Sequence, residues 1–213
     1  MAYKEPHIIS PGDGSDALTM ASVASAALGM CLAANGVPYL AFLTLVVCGI
    51  LDSFDGRFAS RHDRTPTSRA YGAELDSISD AMAFGCQPVV LLLALDRSGA
   101  FALANGAVCA LYLLCVARRL AWFGALDRMG TSDGNFVGLP VTYAALVLPM
   151  VAAATKLAGL AALLPLTLGL TMLVLACAYV TNVPVKRPGV KVILVLAAVA
   201  AVCAVYVALP LGA

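Results

Sequence analysis

The chain alternates long uncharged apolar runs with short polar breaks, on a scale much longer than the strand or helix rhythm of a soluble domain. Seven such segments can be drawn, at about 17–34, 39–58, 76–95, 100–117, 136–155, 161–180 and 192–211. Each approaches the ~20 residues that a helix needs to cross a bilayer. Asn35, Gly36 and Pro38 predict a tight turn between the first two. Pro140 and Pro149 fall inside the fifth, where neighbouring helices or water can satisfy the freed carbonyls. The abundant Ala and Gly suit close helix packing. The pattern predicts an all-α integral membrane protein, a bundle of about seven helices (six to eight). It reads as one domain over 1–213, with 1–16 as a cytoplasmic N-terminal segment.

The second and third segments break the pattern. The uncharged part of the second ends at Leu51, 13 residues after its start. At 1.5 Å per residue that reaches about 20 Å, short of a hydrocarbon core of about 30 Å. To span, the helix must continue to about Phe58 and take Asp52 and Asp55 with it. The third has 15 uncharged residues from Ala81 to Leu95, and reaches 20 only if it begins at Asp76 and includes Asp80. Four aspartates are thereby assigned to membrane helices, at or just below the interface.

Composition agrees with the pattern. The chain has 213 residues, 62% hydrophobic and 12% charged, about half the charge of an ordinary soluble domain. That excludes a soluble globular protein, a disordered one and a nucleic-acid binder with a basic face. The net charge of +1 says nothing about partners, but its distribution does. With the N-terminus inside, 11 of 13 basic residues fall on cytoplasmic segments, and only Arg97 and Lys156 fall outside. Six of the 12 acids crowd between Asp52 and Asp80, on the same side. The seven cysteines are scattered through apolar stretches with no C-x-x-C spacing, as packing residues are. Met1–Thr19 has no basic segment followed by an apolar core, so no removable signal peptide is expected.

Asp52 and Asp55 are three apart, Asp76 and Asp80 four apart, and each spacing puts its pair on one helix face. Four carboxylates at membrane depth repel one another and are costly to ionise. Divalent metal ions would compensate, and Mg²⁺ favours carboxylates with water or phosphate oxygens. Two such ions could clamp a phosphoryl group during its displacement. Two other readings stand beside this one. The acids could snorkel to water or pair with Arg57, Arg61, Arg64 and Arg69. They could instead serve an ion-coupled transporter, although transport sites tend to lie near the midplane.

The segment Asp52-Ser-Phe-Asp55-Gly56-Arg-Phe-Ala59, followed by Gly72-Ala-Glu-Leu-Asp76-Ser-Ile-Ser-Asp80, resembles the signature of the CDP-alcohol phosphotransferases, D-x-x-D-G-x-x-A-R then G-x-x-x-D-x-x-x-D. The flanks are similar to the phosphatidylserine synthase branch. Ser68-Arg-Ala-Tyr-Gly-Ala-Glu-Leu-Asp-Ser77 and Phe84-Gly-Cys-Gln-Pro88 are similar to its S-R-F-G-x-E-L-D-S and F-G-x-x-P. Arg119-Leu-Ala-Trp-Phe123, Phe136-Val-Gly-Leu-Pro140 and Val180-Thr-Asn-Val-Pro184 look like its R-L-A-R-F, F-x-G-L-P and V-S-x-x-P-Y. The resemblance runs from about Ala17 to Lys191. Two positions depart from it. Ser60 stands where the pattern has Arg, with Arg61 next, and Trp122 replaces the second Arg of R-L-A-R-F. The interval from Gly56 to Gly72 is also longer than usual.

The resemblance implies phospholipid biosynthesis: transfer of a phosphatidyl group from CDP-diacylglycerol to L-serine, giving phosphatidylserine and CMP. Glycerol phosphate, inositol phosphate or choline are the alternative acceptors. It implies a two-metal site of Mg²⁺ or Mn²⁺, with Asp52, Asp55 and Asp76 on the first ion and Asp76 and Asp80 reaching the second. Asp80 would be the general base. Asp55, Gly56, Ala59, Arg61 and Gly72 would hold the CDP moiety, and Arg69, Arg119 and Lys186 are candidates for the acceptor or its phosphate. The family further suggests a homodimer in a bacterial or archaeal cytoplasmic membrane, with the active site on the cytoplasmic side.

Overall fold

A computed structural model describes residues 14–59, 66–96, 99, 102–129, 136–181, 184–185 and 190–209. The described chain is helical apart from one antiparallel pair of two-residue strands. Helix α1 spans Gly14–Ala34 and α2 spans Pro38–Ala59. Between them lies the expected turn, in which Asn35 Nδ2 donates to Cys31 O at 2.8 Å and Val37 N donates to Leu32 O at 3.0 Å. Pro38 then opens α2, where its missing N–H costs nothing. Helix α3 (Pro66–Asp80) passes without a break through a π-helical segment, Ala81–Cys86, into α4 (Gln87–Leu95). Next come α5 (Ala102–Arg128), strand β1 (Phe136–Val137), α6 (Ala144–Leu157), α7 (Leu164–Val180), strand β2 (Pro184–Val185) and α8 (Val190–Ala208).

Among the described residues, four helical stretches are long and apolar enough to cross a membrane: Asp16–Ala34, Ser68–Leu95, Ala102–Leu126 and Ala161–Val180. Three shorter apolar helices accompany them, at Pro38–Phe54, Val141–Leu157 and Val192–Ala208. These seven stretches correspond one to one with the segments drawn from hydropathy. Three boundaries differ. Helix α3 begins at Pro66, ten residues before Asp76, and α5 continues to Arg128 beyond the expected end at Ala117. A span ends where charge begins, but a helix needs only residues that tolerate its geometry, and Arg118-Arg-Leu-Ala are good formers. The fifth segment starts late. Phe136–Val137 is strand, Gly138 has a φ of 77°, and helical structure begins at Val141, after Pro140.

The bundle has an apolar core, with Phe42, Leu45, Phe84, Leu91 and Leu148 fully buried, and an apolar exterior as well. Large apolar side chains such as Leu103, Leu114, Val174 and Val202 point outward, as a hydrocarbon environment permits. The interior also holds small residues (Ala26, Ala41, Ala83, Ala144, Ala152, Ala200) and several buried polar ones such as Gln87 and Thr44. Helix α1 lies along α2, α5 along α7, and α8 against both α2 and α6.

One polar knot fixes the depth of α1, α2 and α4 relative to one another. Gln87, fully buried, donates through Nε2 to Ala41 O at 2.9 Å and to Thr44 Oγ1 at 2.7 Å. A Cβ on Gly29 would run into both of those side chains, so α1 can reach this knot only with glycine there. Nearby, Ser25 Oγ donates to Thr44 O at 3.2 Å and Cys48 Sγ to Ser22 O at 3.4 Å. In apolar surroundings such bonds have little competition from water, so they fix register as well as add stability.

Candidate active site

The aspartates sit where the knot holds their helices. Asp52 lies on α2 two turns beyond Thr44 and one beyond Cys48. Asp76 and Asp80 lie one turn apart at the end of α3. Helix α1 packs against both helices, and Ser79 Oγ donates to Thr19 O at 3.4 Å. Asp52, Asp76 and Asp80 each offer a carboxylate oxygen, and these three oxygens lie within 4.8 Å of one another. The length argument had placed them at one membrane side, and the structure brings them to a single point.

They open onto a cavity of about 360 Å³, whose other walls are formed by α5 and by the start of α6. From α5 come Arg119, Leu120 and Phe123, and from the approach to α6 come Pro140, Val141 and Thr142. Arg119 is buried, and its guanidinium lies 4.3 Å from the centre of the Phe123 ring. Cation–π contact at a desolvated site holds the guanidinium in one plane. A second cavity, about 590 Å³, lies on the far side of this pair, with Arg118, Trp122, Tyr179 and Thr181 among its walls. Arg119 and Phe123 thus form the partition between the two spaces.

Gly138 completes the partition. With φ at 77° it occupies the left-handed region, and a Cβ there would stand about 3 Å from Tyr179 O, Thr181 O and an Arg119 guanidinium nitrogen. Leu139 N donates to Ala178 O at 3.1 Å, and Phe136 and Val137 pair with Val185 and Pro184. The segment that opened late as a helix therefore packs down on the end of α7, and this close approach is what presents Pro140 to Thr142 to the acids.

The predicted site residues divide as follows. Asp52, Asp76, Asp80 and Arg119 converge on one cavity. Gly72 lies one turn before Asp76 on α3. Arg69 is exposed and is not among that cavity's lining residues. Asp55, Gly56 and Ala59 lie on the last turns of α2, with side chains outside the described part of the structure, and Arg61 and Lys186 lie outside the described residues altogether. Trp122, 63% exposed, faces the second cavity and not the acids, so the departure from R-L-A-R-F does not remove a cation from beside them. Thr142 and the Arg119–Phe123 stack were not anticipated. The four-residue spacing of Arg119 and Phe123 was the available signal for the stack.

Three clustered carboxylates form a hard, oxygen-only donor set, and their mutual repulsion is relieved by a divalent cation. The donor chemistry therefore fits Mg²⁺ or Mn²⁺ and does not suit the softer metals that favour thiolate or imidazole.

Comparison with known proteins gives the family. The chain is 37% identical over 134 residues to a CDP-diacylglycerol–serine O-phosphatidyltransferase of Methanocaldococcus jannaschii, a match covering 63% of this chain and 57% of the relative. It is 31% identical over 133 residues to an archaetidylserine synthase of Methanothermobacter thermautotrophicus, covering 62% and 54%. It is 33% identical over 128 residues to a CDP-diacylglycerol–serine O-phosphatidyltransferase of Mycobacterium tuberculosis, covering 58% and 43%. The chain spans about half the length of the curated relatives it matches. Residues 15–203 match the CDP-alcohol phosphatidyltransferases, and the chain therefore belongs to that membrane-integral and generally divalent-metal-dependent family of transferases.

Proposed function

We propose that this chain transfers a phosphatidyl group from CDP-diacylglycerol to L-serine and releases CMP. The observation that carries the proposal is the meeting of Asp52, Asp76 and Asp80 within 4.8 Å, at a cavity that also contains a buried arginine. The acceptor is assigned from the names of the relatives, which act on serine or make archaetidylserine.

The roles follow from the chemistry. Asp52, Asp55, Asp76 and Asp80 would hold the divalent ions, Asp52, Asp55 and Asp76 the first and Asp76 and Asp80 the second. Divalent ions bound there would compensate the diphosphate and the departing CMP as charge develops. Asp80 accepts the proton of the serine hydroxyl. The hydroxyl oxygen then forms a bond to the phosphorus that carries the diacylglycerol, and the bond from that phosphorus to the bridging oxygen of CMP breaks. Gly56, Ala59 and Gly72 leave room for the nucleotide, and Arg61 is assigned to its phosphates. Of the three cations considered for the acceptor, Arg119 lines the acid cavity and Arg69 does not. Arg119 is therefore assigned to the serine carboxylate, and its planar fork suits that partner. Lys186 remains a candidate for the same task.

The donor explains why such a site belongs at an interface. Its acyl chains stay in the bilayer while its diphosphate reaches the acids. The positive-inside distribution supports the cytoplasmic face for that interface, and the membrane is proposed to be a bacterial or archaeal one. The working unit is proposed to be a homodimer.

The test is a membrane assay with CDP-diacylglycerol, Mg²⁺ or Mn²⁺, and a panel of alcohols, following CMP. Release with serine is expected. Release with inositol phosphate, glycerol phosphate or choline but not with serine overturns the acceptor. No release with any alcohol overturns the transferase reading.

A further inference from the structure

Directly after Asp80 the helix changes type. Ala81–Cys86 is π-helical, and Gln87 N–H donates to Met82 O, five residues back. Such turns are rare and concentrate at functional sites. One residue added to a turn rotates what lies on one side of it by about 100° relative to the other. The α4 side is anchored, because Gln87 is bonded to Ala41 and Thr44 on α2. The π turn therefore sets which way Asp76 and Asp80 face.

A chain of two tyrosines holds that turn. Tyr112 on α5 is fully buried and donates from its hydroxyl to Phe84 O, inside the π segment, at 2.6 Å. Its only proton is committed there. Tyr179 on α7, also buried, lies with its hydroxyl 3.5 Å from that of Tyr112 and 3.3 Å from Val141 O, with Val141 as acceptor. The two rings are 5.8 Å apart at a tilt of 55°. Val141 is itself a wall of the acid cavity. Tyr179 has one proton to share between Tyr112 Oη and Val141 O, so the link from the turn after Asp80, through α5 and α7, to the opposite wall of the site runs through one donated bond, one shared proton and the contact of the two rings.

We propose that Tyr112 and Tyr179 are positioning residues: they hold the π turn in the phase that brings Asp76 and Asp80 to Asp52, and so set the affinity of the site for divalent cations. This rests on the reading of the acid cluster as a metal site, and not on the identity of the acceptor.

The test is Mn²⁺ binding to the purified full chain in detergent, followed by the loss of the free-ion paramagnetic resonance signal, with no substrate present. Tyr112→Phe keeps the ring and removes the donor to Phe84 O. It is expected to raise the Mn²⁺ concentration at half-saturation about three- to tenfold, the equivalent of one net hydrogen bond. Tyr179→Phe should shift it in the same direction by less, and the double variant should exceed Tyr112→Phe by little, because the two act in one line. Thr155→Val serves as the control. It removes a buried hydroxyl bonded to Val151 O at 2.8 Å in α6, away from the acids, and should lower the melting temperature without moving the Mn²⁺ titration. If Tyr112→Phe does not fold, Tyr179→Phe carries the reading, since it leaves the bond to Phe84 O intact.

A wild-type Mn²⁺ titration in the tyrosine variants overturns the proposal. So does an equal Mn²⁺ shift in Thr155→Val, which would make the effect one of general stability. A wild-type protein that binds no Mn²⁺ overturns it together with the metal reading. Mn²⁺ binding without transfer to serine overturns the acceptor assignment alone, because the titration reads the tyrosines without substrate.

Discussion

The two ends of the bundle use the same kinds of residue for opposite purposes. At the end where α2 begins and α6 and α8 finish, Lys156 Nζ donates to Tyr206 O at 2.8 Å, Val207 O at 3.1 Å and Leu209 O at 2.6 Å, and lies over the Tyr206 ring. All three of its protons are thereby used. At that same end Asn105 Nδ2 donates to Asp96 Oδ2 at 3.2 Å, both side chains being buried. Charge there is matched with donors or acceptors and closes the structure. At the other end, three carboxylates are brought together at a cavity, and among the described residues that line it the buried Arg119 is the cation. A charge that finishes a helix is structural, whereas like charges gathered by separate helices at a cavity call for a ligand. This distinction can be measured, because the two ends should fail in different assays.

The largest effect should come from Asp80→Asn. Removing the base should lower the rate of CMP release by about 10³-fold. The melting temperature of the metal-free protein should hold or rise, since one member of a repelling cluster has become neutral. A variant that loses stability but keeps its rate would make Asp80 a structural residue and erase the contrast between the ends.

Lys156→Met tests the opposite end. Three carbonyls at the close of α8 lose a charged donor, and the expected cost is about 2 kcal/mol of stability, read by denaturation in detergent. CMP release per folded molecule should not change. A fall in rate at unchanged stability would show that this lysine serves the reaction.

The contrast was only partly legible in the sequence. Asp52 and Asp80 were placed in membrane helices because their apolar runs are too short without them, and the same shortfall put them at one face. That argument needed only helix rise and bilayer thickness, and both are insensitive to packing. The polar knot of Gln87, Thr44 and Gly29 was not legible, because a glutamine inside an apolar run carries no sign of which helix it will meet. The π turn after Asp80 was hidden for a similar reason, since Ala81-Met-Ala-Phe-Gly-Cys86 reads equally well as α-helix. The turn's bond to a side chain comes from Tyr112, 28 residues away from Phe84. The late start of α6 was missed because Phe136 and Val137 are as apolar as any membrane residue, and only Gly138 and Pro140 mark the break.

Arg119→Lys should give a smaller effect and sharpen the picture of the acid end. Lysine keeps the charge but loses the planar fork and the stack on Phe123. The KM for serine is expected to rise about tenfold, equivalent to ~1.4 kcal/mol, with the KM for CDP-diacylglycerol unchanged. A rise in the KM for the donor instead would move Arg119 from the acceptor to the diphosphate and leave Lys186 as the remaining candidate for the serine carboxylate.

The smallest effect is expected at Asn105. Its side-chain amide bridges from α5 to Asp96, the residue that closes α4, and Gly169 of α7 leaves it space, since a Cβ there would lie 2.6 Å from Asn105 Oδ1. Asn105→Ala removes one donor from a carboxylate at the end of a helix. The carboxylate keeps other interactions, so about 1 kcal/mol of stability should be lost. Neither the Mn²⁺ titration nor CMP release should move, because the bridge lies at the far end of α4 from the π turn and the anchored Gln87 stands between them. A shift in the Mn²⁺ titration in this variant would mean that α4 transmits strain along its length. The two ends of the bundle would then be coupled, and their separation into a structural end and a reactive end would not hold.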